Sequence, residues 1–162
     1  MGPAAKFMRL GRRDRALVIA AARMLAVTWI GLRTAGFNAV KRRAGRVVAP
    51  DTGAYAWCGP PPRASVSPPS VDRIAWAVRA AGRFIPGASN CLVRALATQA
   101  LLGRFGHRSD LRIGVRKAAD GSLAAHAWLG SAGAVVIGEF ELEHYVPLAP
   151  AQPRGSSSTA GQ

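Results

Sequence analysis

Apolar positions along this chain first recur with a helical period and then switch to alternation. The first helical stretch runs from Asp14, a capping residue, through Ala16 to Val40 and ends in the basic Lys41-Arg42-Arg43 cluster, which suits the negative end of a helix dipole. Six prolines between Pro50 and Ser70 then predict an extended connector. A second helix starts at Ser70-Val71-Asp72 with Asp72 as its cap, places Ile74, Ala75, Val78 and Ala81 on one face, and stops before Pro86. A third starts at Ser89-Asn90-Cys91, buries Leu92, Ala95, Leu96, Gln99 and Leu102 along one side, and ends near Gly103 or Gly106. Beyond it the period falls to two. Leu111 to Lys117 alternates, Asp120-Gly121 marks a tight turn, Leu123 to Leu129 is the next strand, and Ala134 to Phe140 is a third. The pattern predicts an α+β fold in which helices pack on an antiparallel β-meander. It divides the chain into a basic helical segment (1–49), a Pro-rich connector (50–70), a core (71–150) and a polar tail (151–162) expected to be disordered.

Charge changes the picture at one end only. The net charge is +14, yet residues 1–50 hold eleven Lys and Arg against Asp14 alone, while residues 51–162 hold eleven against seven acids. A basic end can contact nucleic acid, an anionic membrane surface or an acidic protein. No aromatic residues are interleaved with these arginines and no nucleic-acid motif is present, so nucleic acid is not the expected partner. The stretch Ala16–Val40 is mostly apolar, but Arg23 and Arg33 leave flanking apolar runs of seven and nine residues, short of the ~20 needed to cross a bilayer. An amphipathic helix covering the core is expected, with a membrane-surface contact as the further role it admits.

At 162 residues the chain can bury its own core, and its two cysteines, Cys58 and Cys91, need not form a staple. With no secretion signal at Met1, the expectation is a reducing cytoplasm with free thiols. Cys58 lies in the connector and is expected to pack rather than react. Cys91 is different, because it falls in the first turn of a helix. There free amides and the positive dipole end favour negative charge on sulfur, the form that attacks a carbonyl carbon.

A cysteine nucleophile needs a base in reach, and three histidines are available. His107 lies beyond the far end of the Cys91 helix, on the order of 20 Å away at 1.5 Å per residue. His144 follows the last strand in a Glu-rich segment. His126 sits inside a strand, flanked by alanines that leave room around the ring. A hairpin turning at Ala132-Gly133 pairs residues whose numbers sum to about 265, which sets Glu139 across from His126. The result is a nucleophile, base and orienting-carboxylate set in the order Cys91, His126, Glu139.

The runs Cys91-Leu92-Val93-Arg94-Ala95-Leu96, Leu111 to Arg116, Ala125-His126-Ala127-Trp128-Leu129 and Val136-Ile137-Gly138-Glu139 together resemble the leader peptidases of lasso-peptide biosynthesis. These are transglutaminase-like cysteine proteases related to the microcin J25 processing protein. The resemblance implies a transglutaminase-like, papain-like core and a peptidase that removes the leader from a ribosomally made precursor. A separate ATP-using lasso cyclase would then close the ring, so no cofactor is expected in this chain. Cys91 matches the family nucleophile and His126 its base, while Glu139 stands where the family usually shows Asp. Gly130-Ser131-Ala132 stands where relatives often carry an acidic residue after the Ala-Trp-aliphatic step. Residues 1–60 show no strand pattern of the family's leader-recognition module, so the resemblance implies the protease-only form, served by a separate leader-binding protein. Acyl transfer on the same scaffold, a basic binding module, and a metal site using Cys91, His126 and His144 are the other readings the residues admit.

Overall fold

A computed structural model describes residues 7–46, 67–85 and 87–148; Cys58, most of the Pro-rich connector and the tail lie outside these. Four helices precede a four-stranded sheet: α1 Arg12–Thr34, α2 Gly36–Arg46, α3 Val71–Gly82, α4 Cys91–Arg104, then β1 Asp110–Lys117, β2 Leu123–Ser131, β3 Ala134–Ile137 and β4 Val146–Pro147. A short 3₁₀ turn, Leu142–His144, precedes β4. The fold is α+β, as the change of period predicts. Its sheet is antiparallel, in the order β3-β2-β1-β4.

The first helix differs from its expected form at both ends. It begins at Arg12 with Gly11 as its cap, so Asp14 is a first-turn residue and not the cap. The Asp14 carboxylate turns instead to the Arg73 guanidinium of α3, with Nε donating to Oδ1 at 2.9 Å and Nη2 donating to Oδ2. The helix also stops at Thr34, because Gly36 adopts φ +76°, and the chain folds back as α2. Val40 of α2, 3% exposed, returns to the core that the single long helix would have carried it away from.

On α3 the cap is Ser70, whose Oγ accepts from the Arg73 amide at 3.3 Å, while Asp72 takes a first-turn place. The predicted face of Ile74, Ala75, Val78 and Ala81 is buried. On α4 burial goes further than one side. Val93 and every residue from Ala95 to Gly103 are buried, because α1, α2, α3 and the sheet all pack around this helix. A helix apolar on all sides belongs at the centre of its domain.

The strands alternate as predicted. Leu111, Ile113, Ala127 and Leu129 face the helices, and Arg112, Gly114, His126 and Trp128 take the other face. Strand β3 is shorter than expected. Ala132 and Gly133 form the predicted turn with φ of 50° and 82°, and Ser131↔Ala134 and Gly130↔Val135 hold the predicted register. An irregularity between Leu129 and Gly130 then shifts the pairing to Leu129↔Ile137, and the strand ends there. Strand β4 was not predicted. The chain reaches it by passing to the far edge of the sheet, where Val115↔Val146 and Gly114↔Pro147 pair.

Candidate active site

Cys91 is the first residue of α4. The Asn90 side chain caps that helix, its Oδ1 accepting from the amides of Leu92 (2.9 Å) and Val93 (3.4 Å). The preceding loop is fixed by Arg94, whose Nε donates to the Ala88 carbonyl at 2.5 Å. Cys91 is a free thiol, partly buried against the core. It therefore combines a helix-start position with partial exposure, the two features a nucleophilic cysteine needs.

His126 sits where β2 runs past the end of β3. Its Nε2 is 2.9 Å from the Gly138 carbonyl oxygen. A carbonyl only accepts, so Nε2 carries the proton and Nδ1 keeps the lone pair of a base. Gly138 can bring its carbonyl here because it has φ +82° and because an added Cβ would meet the Ala127 carbonyl oxygen at 2.7 Å. Two aromatic rings hold the imidazole from the side: Trp128 at 6.2 Å between centroids and Tyr145 at 5.2 Å. Gly114, opposite His126 on β1, clears space for both. A Cβ there would lie 2.9 Å from the Trp128 ring and 3.0 Å from Tyr145 Cβ.

Glu139 is not the cross-strand partner of His126. The register shift ends the ladder before that pair can form, and the Glu139 carboxylate instead accepts from Arg79 Nη2 of α3 at 2.8 Å. The same guanidinium nitrogen also donates to the Val136 carbonyl at 2.8 Å. A backbone carbonyl, one residue before the predicted acid, thus holds the imidazole. The acid itself ties β3 to a helix.

These contacts set the two predicted residues on neighbouring elements. A Cβ on Gly82, the last residue of α3, would lie 3.6 Å from Arg94 Nε and 3.8 Å from Ala88 Cβ, so the end of α3 touches the first turn of α4. Arg79, one turn earlier and about 4.5 Å along the axis, reaches the β3 end that holds His126. The last turn of α3 therefore links the Cys91 helix start to the Gly138 corner. No hydrogen bond joins the Cys91 thiol to an imidazole among the described residues. The sequence places each residue on its element, but His126 stands on the sheet face turned away from the helices, and the structure does not close the pair.

The remaining histidines have other surroundings. His107 Nε2 lies 2.8 Å from the Pro69 carbonyl, beyond the far end of α4. His144 is exposed beside Glu143, and no group of three or more His, Cys, Asp or Glu with metal-binding placement occurs among the described residues. Sequence reasoning missed Gly138, Tyr145 and Arg79. A glycine ending the Val-Val-Ile run was a signal for the first, whereas nothing local announced the others.

Compared with known proteins, residues 25–149 match the family described as Transglutaminase-like superfamily. No curated protein and no solved structure matches the chain.

Proposed function

Since this chain belongs to the transglutaminase-like superfamily, we propose that it is a cysteine peptidase that removes the leader from a ribosomally synthesised precursor during lasso-peptide maturation. The observation that supports the reading is Cys91 at the capped, partly exposed start of α4 in a chain of this superfamily.

In this reading His126 Nδ1 takes the Cys91 proton and Sγ attacks the scissile carbonyl. The Cys91 amide, which α4 leaves without a helical acceptor, donates to the oxyanion that forms. The imidazolium then protonates the leaving amine, the new amino terminus of the core peptide. A thioester remains on Cys91. Water attacks it with His126 as base, releasing the leader and restoring the thiol. The Gly138 carbonyl holds Nε2–H throughout, so Nδ1 serves every proton transfer. Glu139 contributes by fixing the Gly138 corner through Arg79.

Affinity for the leader comes from a separate leader-binding protein, and an ATP-using lasso cyclase takes up the freed core. The site of action is the cytoplasm. The superfamily also contains acyltransferases, and the same thioester would serve them if an amine replaced water.

The test is to incubate the purified chain with a candidate precursor, with and without a leader-binding protein, and weigh the products. Cleavage that rises strongly with that protein and vanishes in Cys91→Ala is expected. Equal cleavage by Cys91→Ala would end the assignment. Appearance of an amine adduct in place of the free leader acid would move the reading to acyl transfer.

A further inference from the structure

Helix α1 has two faces of different kinds. Leu17, Val18, Ala21, Met24, Leu25 and Thr28 are buried in the core against α3 and α4. On the opposite side Arg12, Ile19, Arg23, Val27 and Ile30 fall within an arc of about 80° at 3.6 residues per turn, all of them exposed. Ile19 and Ile30 are each 51% exposed and Val27 37%. A stripe of branched aliphatic side chains facing outward is unusual on a helix whose other face already fills a core.

The surroundings of the stripe carry one sign of charge. Asp14 is the single acid in residues 7–46, and its carboxylate is taken by Arg73. Among the described residues no carboxylate pairs with Arg12, Arg23 or Arg33; Arg33 lies over the Trp29 ring, 5.0 Å from its centroid. Lys41 and Arg42 of α2 are exposed as well.

We propose that the outer face of α1 docks this protein on an anionic phospholipid surface, with Ile19, Val27 and Ile30 entering the headgroup boundary and the flanking arginines meeting lipid phosphates. Aliphatic residues alternating with cations along one helix face match that boundary, where acyl chain and phosphate lie a few ångströms apart. A nucleic-acid backbone would use the arginines and leave the aliphatic groups without partners. A second copy of the chain would set arginine against arginine. The helix lies on the bilayer and does not cross it. By length and composition it could cross, but insertion would pull Met24 and Leu25 out of the core, where they are 2% and 0% exposed. This proposal does not depend on the peptidase reading.

The experiment is co-sedimentation of the full chain with phosphatidylcholine vesicles, with and without phosphatidylglycerol. Binding only to the anionic vesicles is expected, weakening by about fivefold for each of Arg12→Gln and Arg23→Gln. Ile19→Glu with Ile30→Glu should release the protein while its helical circular dichroism is unchanged, since both side chains are already exposed. Absence of binding, equal binding to neutral vesicles, or full binding by both sets of variants would overturn the proposal. So would a result in which the isoleucine variants abolish association with a leader-binding protein, or self-association, while wild type ignores vesicles; the stripe would then be a protein interface.

Discussion

At His126 the tautomer is set by one backbone oxygen, and this decides which substitutions should matter. Gly138→Ala forces a Cβ against the Ala127 carbonyl at a φ that side chains resist, displacing the oxygen that holds Nε2. A base misplaced by about an ångström costs on the order of a hundredfold in rate, and that loss in kcat is the expected outcome. Gly133→Ala is the control, because Gly133 has the same φ of +82° with nothing near its Cβ position. It should lower stability and leave turnover within a few fold. Glu139→Gln removes only an exposed ion pair with Arg79, so activity should fall by less than about tenfold. A hundredfold loss would show that the carboxylate leaves Arg79 and engages the imidazole during turnover. The helix start at Cys91 and the strand around His126 were legible in the sequence because helix caps and strand alternation are local. The sequence misplaced Glu139 across from His126 because one irregularity between Leu129 and Gly130 cancels a register counted from the turn.

Between elements, the Asp14–Arg73 pair joins α1 to α3 across fifty-nine residues of sequence, and Arg73 also lies over the Trp76 ring at 4.2 Å. Hydrogen bonding to the guanidinium lowers the Asp14 carboxyl below its usual value and raises the Arg73 guanidinium above its own. A lowered folded-state value means the pair stabilises the fold above the ordinary aspartate range and is lost as pH falls through the folded value. Acid unfolding monitored by circular dichroism should therefore begin at higher pH in Arg73→Gln, and the Asp14→Asn chain should show a flatter acid limb than wild type. The turn from α1 to α2 was hidden from periodicity because Gly36 interrupts the chain while the apolar spacing continues. Pattern alone does not register a reversal that a positive φ produces.

Over the whole molecule, α4 is the element against which α1, α2, α3 and the sheet all close. Leu101 is fully buried there, so Leu101→Ala should destabilise the protein by about 2–5 kcal/mol in denaturant unfolding, through lost transfer and a residual cavity. Ala16→Ser on the exposed face of α1 should change stability by under about 0.5 kcal/mol. The α+β class was legible because the change from a period near four to a period of two is written in the residues themselves. Strand β4 and Tyr145 were not, since two paired residues carry no alternation and their place depends on a partner strand more than thirty residues earlier.

That short strand has a dynamic consequence. Strand β4 is held by two paired positions and by the Leu148 amide bonded to the Ile113 carbonyl at 2.7 Å, while Val146 and Leu148 are 70% and 54% exposed. Segments with little burial and few backbone bonds open at a small fraction of the free energy of global unfolding. The Leu148 amide should therefore exchange with deuterium well before those of β2. Each such opening lifts Tyr145 away from the imidazole, so that side of His126 meets solvent intermittently while the rest of the sheet stays closed.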